Sequence, residues 1–347
     1  MSSLTRGRAA NTALAPSGLH AEYYEQRASA GLIITESTWV SKNAIGFINL
    51  PGIYSGEQVL AWKQVTSAVH GKGGKIFLQL VHSGAVSHPD FLDGRAPLGP
   101  SAIDPQEKSF TPEGFKDTVT PVAYSIPQIK ATVDEFRQAA QNALEAGFDG
   151  VEIHAQLYTL IPQFLSAATN QRTDEYGGSI ANRARILFEI LDAVGTVFDN
   201  KRIGIKFTPA AFNNGIIRPD DMTLQSYAYI LEKLDNYDLG YVHLVGPAVE
   251  LAGTVLDPVK EDYFGYFRRL YRGTIMAGLG FSQTSGNEIL AKGNADLVSF
   301  GTSFIANPDL VARFQQGVPL AIPDTSTFYT GGAAGYTDYP VATKKSG

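Results

Sequence analysis

Gly150-Val-Glu-Ile-His-Ala-Gln-Leu-Tyr-Thr-Leu-Ile-Pro-Gln-Phe-Leu165 is the stretch on which the reading of this chain turns. It opens with a short apolar run behind a glycine, the pattern of a buried strand. His154 falls where that strand ends and a polar, aromatic loop takes over. In a parallel α/β barrel the carboxyl end of each strand faces the active site, so a histidine there is placed for chemistry. The plain alternative is a rim histidine held by structural hydrogen bonds.

Working outward, short apolar runs alternate with longer amphipathic ones. Strands are expected at Gly31-Leu-Ile-Ile-Thr-Glu-Ser37, Lys75-Ile-Phe-Leu-Gln-Leu80, Arg202-Ile-Gly-Ile-Lys-Phe207, Gly240-Tyr-Val-His-Leu-Val245, Gly273-Thr-Ile-Met-Ala-Gly278 and Ala295-Asp-Leu-Val-Ser-Phe-Gly301. Helices are expected near 57–69, 133–146 (ending at Gly147, a C-cap signal), 182–197, 223–234 and 259–270, with a terminal helix after Asn307-Pro-Asp. A Pro/Gly/Asp-rich excursion from about His82 to Ile126 is long enough to be functional or lid-like. The alternation, without a linker or composition shift, predicts a single (β/α)8 barrel domain over residues 1–347. Seven strands are complete. The eighth is the first in order, truncated, with only Met1 to Leu4 available to it, and the excursion follows the third.

The 347 residues, 44% hydrophobic and 18% charged, suffice for a large core. A net charge of −6 with scattered basic residues gives no footprint for nucleic acid. There are no cysteines, which excludes disulfides, thiolate metal sites and a Cys nucleophile. No histidine pair has ligand spacing, so no metal is expected. No apolar run approaches a membrane span and the N-terminus has no secretory h-region, so a cytoplasmic protein is expected.

Longer motifs carry a resemblance. His20-Ala-Glu-Tyr-Tyr-Glu-Gln-Arg-Ala-Ser-Ala-Gly-Leu-Ile-Ile-Thr-Glu36, Asn170-Gln-Arg-Thr-Asp-Glu-Tyr-Gly-Gly-Ser179, Phe304-Ile-Ala-Asn-Pro-Asp-Leu310 and Gly335-Tyr-Thr-Asp-Tyr-Pro340 are similar to the old yellow enzyme family. The likeness runs from residue 4 to 340. It implies FMN at the top of a barrel and hydride transfer from NAD(P)H through flavin to an activated alkene. It further implies a His/Asn or His/His pair on the substrate's carbonyl oxygen and a tyrosine that gives the proton. The flavin contacts it implies are Thr5, Gln79 and Ser37, with Gly278, Gly280, Gly301 and Thr302 at the phosphate end and Lys206 at the pyrimidine edge.

Against that pattern the chain departs at several points. The family's His-Ala-Ala-Asn-Gly-Tyr is here His154-Ala-Gln-Leu-Tyr-Thr159, so the carbonyl partner is Leu157 and the proton donor's place is Thr159, with Tyr158 one position earlier. Lys206 replaces an arginine, Val81 a tryptophan, Leu279 a glycine and Thr302 an arginine. These changes favour a cofactor-independent isomerase or epimerase with His154 as acid or base, Lys206 as oxyanion stabiliser, Tyr158 as second donor and Gln79 orienting a carbonyl. Val81, His82, Leu157, Phe47, Phe207 and Phe212 would make a greasy wall for a bulky, polyketide-derived or polycyclic natural product. Noncanonical members of the family, including an epimerase of fungal pyridone polyketide pathways, strengthen that expectation. The alternatives are an FMN-dependent, NAD(P)H-driven ene-reductase and a catalytically inert scaffold.

Overall fold

The computed structural model describes residues 1–342. Its centre is a seven-stranded sheet, all parallel, in sequential order. The strands are β1 (Ile33–Trp39), β2 (Ile76–Val81), β3 (Gly150–Ala155), β4 (Ile203–Phe207), β5 (Tyr241–Val245), β6 (Ile275–Gly278) and β7 (Leu297–Ser299). Residue 1 and residue 2 fill the gap between the sheet's two ends. Ile34 N donates to Met1 O at 3.1 Å, and Ser2 N donates to Phe300 O at 2.9 Å. Two backbone bonds thus link the sheet's two ends. The fold is a TIM-barrel-like α/β structure, as the alternation predicts.

The helices cover the outside. They are α1 (Gly18–Glu25), α2 (Gly56–Gly71), α3 (Ile126–Glu145), α4 (Leu160–Leu165), α5 (Ile180–Arg183), α6 (Arg185–Gly195), α7 (Thr223–Leu234), α8 (Tyr263–Leu270), α9 (Gln283–Ala291), α10 (Thr302–Ala306) and α11 (Leu310–Gln316). Helix α2 shows why. Ser55 and Gln58 cap its start reciprocally, and Val59, Trp62, Val65, Thr66 and Val69 form the buried stripe. Helix α3 begins seven residues before the expected 133. The Ser125–Gln128 capping box sets its start, while apolar periodicity becomes visible only later. The stretch expected as one helix over 182–197 is two, α5 and α6, and α1, α4, α9 and α10 fall outside the expected helices.

The excursion between β2 and α3 is ordered. Leu98–Gly99 pairs with Val122–Ala123, and Lys108–Thr111 pairs with Gly114–Asp117 as an antiparallel hairpin. No helix among the described residues is long and apolar enough to cross a membrane.

Candidate active site

Side chains alternate along a strand, so each barrel strand offers every second residue to the interior. Register then decides which of these meet. Gln79 pairs with Ser37 on one side and Glu152 on the other, while Lys206 sits in register between His154 and His243. A polar layer results. Ser37 Oγ donates to Gln79 Oε1 at 2.8 Å, and Gln79 Nε2 donates to Glu152 Oε1 at 2.7 Å. Glu152 Oε2 lies 2.9 Å from His243 Nδ1, and His243 Nε2 lies 2.8 Å from Ser299 Oγ. The last bond passes over Gly278. A Cβ there would come within 2.8 Å of His243 Nε2 and 2.7 Å of Ser299 Oγ, so only glycine leaves the bond room.

Charge in this layer is balanced by contact. Burial raises the Glu152 carboxyl, but His243, Lys206 and Gln79 outweigh it and hold the group below the usual carboxylate range. His243 is pushed down to about 4 by burial and by Lys206, so its imidazole is neutral and Nδ1 donates to Glu152. Burial also lowers Lys206, with Glu152 opposing. Its ammonium donates to Ser2 Oγ at 3.2 Å and Ser3 Oγ at 2.8 Å.

Two cavities open above the layer and share Ser3, Gln156 and Leu157. The larger, about 590 Å³, is lined by Lys206, Phe212, Gly278, Gly280, Gly301 and Thr302 among others. Lys206 is the one charged side chain on its wall, with the neutral His243 beside it. The smaller, about 380 Å³, holds His154, Tyr158 and Gln79 with Thr5 and Ser37, walled by Phe47, Val81 and Leu157. A third cavity of about 620 Å³ meets it at Tyr158, Lys108 and Phe115.

Two expected wall residues are elsewhere. Phe207 is fully buried on the outer face, its ring 5.6 Å from Tyr227 of α7, because Lys206 takes the inward direction. His82 follows the inward Val81 and likewise faces out. Its Nδ1 accepts from Gly84 N, and its Nε2 lies 3.9 Å from Glu135 of α3. Phe212 lines the larger cavity, apart from Phe47, so the expected greasy wall is split in two.

Around His154 the local chain is bent by Leu157, whose φ of 57° is left-handed. Thr159 ends that bend. Its Oγ1 lies 3.2 Å from His154 Nδ1 and donates to Gln156 O at 2.9 Å. Burial, with Lys206 beside it, takes His154 down to about 3. A neutral imidazole with so low a proton affinity is a poor general base near pH 7. Tyr158 is the reverse case: burial raises its phenol, which keeps its proton.

Sequence reasoning missed Ser2, Ser3, Glu152, His243, Ser299 and Tyr329. An ionisable residue inside an apolar strand was the available signal for Glu152 and His243. Tyr329 carried none, being brought to the smaller cavity by a distant clamp. Arg6 and Arg8 donate to the carbonyls of Thr327 and Phe328 on one side of it, and Arg8 to Gly332 on the other.

The comparisons with known proteins converge. Residues 1–321 match the model of the NADH:flavin oxidoreductase / NADH oxidase family. The chain is 41% identical over 338 residues to 12-oxophytodienoate reductase 2 of Arabidopsis thaliana, covering 92% of this chain and 85% of that protein. It is 39% identical to a probable flavin mononucleotide-dependent alkene reductase of Leishmania infantum, covering 98% and 92%. The solved structure of morphinone reductase superposes with a TM-score of 0.91 at 42% identity, covering 99% and 91%. These similarities overturn the expectations of a cofactor-independent isomerase or epimerase and of no cofactor: the matched family is one of flavin oxidoreductases. The likeness to a pyridone-pathway epimerase finds no support among them. The substitutions around His154 are differences within a flavin-enzyme framework, and reading them together as its loss was the error.

Proposed function

This chain belongs to the NADH:flavin oxidoreductase / NADH oxidase family, and from that premise we propose that it is an FMN-dependent, NAD(P)H-driven reductase of activated alkenes. The donor set supports FMN. A phosphate needs positive charge and amides without a competing carboxylate, and the larger cavity supplies Lys206 with no Asp or Glu on its wall. Leu279 and Gly280 both have positive φ, 76° and 79°, which turns their backbone along that wall, and Gly280 has no atom within 4 Å of a would-be Cβ. Two wall atoms, Gln156 Oε1 and Thr208 Oγ1, are buried without a hydrogen-bond partner. The backbone at Gly278, Gly280, Gly301 and Thr302 would hold the phosphate end, and Lys206 the pyrimidine edge. Gln79, Thr5 and Ser37 would hold the ring. Bound there, FMN supplies the hydride chemistry that no side chain can provide.

The chain's own residues do the rest. His154 meets the activating group of the substrate in the smaller cavity. Tyr158 holds a proton on its phenol oxygen in the same cavity and is the donor that completes the reduction, in place of the tyrosine that Thr159 displaces. Phe47, Val81 and Leu157 exclude water around an apolar substrate. The observation that carries the reading is the pair of joined cavities, one cationic and glycine-edged, the other holding His154 and Tyr158. The test is to load the protein with FMN, desalt it, and follow NAD(P)H consumption with an enone while identifying the product. Stoichiometric flavin retention and a saturated product are expected; a folded protein that retains no flavin defeats the proposal.

A further inference from the structure

We propose that the Gln156 side-chain amide is the second hydrogen-bond donor to the substrate's carbonyl oxygen, acting with His154 because Leu157 has no polar atom to offer. The assignment rests on the ene-reductase reading. When hydride adds to a conjugated alkene, charge develops on the carbonyl oxygen, and donors aimed at both of its lone pairs stabilise it. With His154 alone, one lone pair would face apolar wall.

Alternation along β3 and just beyond it turns Glu152, His154 and Gln156 toward the barrel interior. Gln156 lines the smaller cavity together with His154 and lines the larger one as well, so it stands where the two join. Its backbone is pinned: Gln156 O accepts from Thr159 Oγ1 at 2.9 Å and from Thr159 N at 3.4 Å. Neither end of the amide bonds another group among the described residues. Oε1 is enclosed without a partner, whereas Nε2 is not enclosed, so the N–H end is the one left open to a ligand. Neighbouring donors are engaged. Gln79 Nε2 spends both hydrogens, on Ser3 Oγ and Glu152 Oε1, and the Ser37 hydroxyl donates to Gln79. Lys108 pairs with Asp117 at 2.7 Å, the Thr159 hydroxyl donates to Gln156 O, and Tyr158 keeps its proton for the alkene carbon.

The test uses the whole protein loaded with FMN and reduced with dithionite, and times its reoxidation by 2-cyclohexenone per bound flavin. Gln156→Leu should slow this step about a hundredfold, the scale of one donor to a developing oxyanion. Gln156→Glu keeps the size of the side chain but, ionised, can only accept, and should be slowed as far. Adding Leu157→Asn to Gln156→Leu returns an amide one residue later, at a φ of 57° that asparagine tolerates, and should recover about tenfold. An unchanged rate in folded Gln156→Leu overturns the proposal. So does a loss of bound FMN with the rate per flavin intact, which would assign the amide to the cofactor. Cyclohexanone labelled with 13C at its carbonyl gives a readout without turnover. Its bound stretching frequency should lie lower in the wild type than in Gln156→Leu, and equal frequencies overturn the proposal. A wild-type protein that shifts this carbonyl yet reduces no alkene would sink the ene-reductase reading and leave the amide contact standing.

Discussion

Glu36 and Glu152 are both fully buried carboxylates on barrel strands, and their environments push them in opposite directions. Glu152 points inward and meets side chains that complement a negative charge: Gln79 Nε2, His243 Nδ1 and the Lys206 ammonium. Glu36 points outward beneath α1. Its Oε2 accepts from Arg6 N and Gly7 N, but Oε1 has no partner, and His20 Nε2 stops 3.8 Å away. The nearby Arg6 and Arg8 spend their donors on carbonyls of the C-terminal segment, on Arg6 O and on the Tyr23 hydroxyl, so burial wins and the carboxyl rises to about 7. Burial costs the same kind of free energy in both places; only directed donors offset it. One carboxylate anchors the floor of the site, and the other is a tolerated strain in the clamp that brings Tyr329 to the cavity.

Removing the anchored group should have the largest effect. Glu152→Ala leaves His243 and Gln79 without their shared acceptor and Lys206 without a compensating charge nearby, and should cost about 3–5 kcal/mol of stability in denaturant unfolding. A cost under about 1 kcal/mol would mean the layer re-pairs without it. Glu36→Gln should show the contrast in its pH dependence. A carboxyl raised in the folded state binds its proton more tightly there, so wild-type stability from this group falls as pH climbs from about 4.5 to about 7. The variant, which has no such titration, should gain on the wild type over that window by on the order of 2–3 kcal/mol. Glu152, held low, should behave oppositely, its contribution being lost as pH falls below the ordinary carboxylate range. Parallel pH profiles for the Glu36→Gln and wild-type proteins would erase the comparison.

Smaller changes sharpen it. Ser299→Ala removes the partner of His243 Nε2 at the far end of the layer and should cost about 1 kcal/mol, read as a shift in the unfolding midpoint. Leu60→Gln, on the solvent side of α2 and 67% exposed, should change stability by less than about 0.5 kcal/mol. A larger value there would show that exposure on the outer face misjudges what packs.

Much of the scaffold was legible because periodicity survives local variation. The seven strands fall within two residues of expectation at most ends, and His154, Gln79, Tyr158 and Leu157 do share one cavity. The mistakes have a common physical origin. Phe207 and His82 were assigned by their neighbours in sequence, but strand alternation turns each away from the residue beside it. The redox site was read as dismantled because the substitutions were added up against a motif, without the groups that surround them in space. Charge and hydrogen-bond balance, which Glu152, His243 and Ser299 restore around Lys206, is a property of residues far apart in the chain.

The sequence alone determined the alternation of strands and helices, the placing of His154 at a strand's carboxyl end, and the family likeness. These are local in nature, depending on period, caps and contiguous motifs. Tertiary structure alone decided which inward side chains meet, and how two buried carboxyls on β1 and β3 are pushed in opposite directions. Those outcomes depend on register between strands and on where donors point, and neither is written in any one stretch of chain.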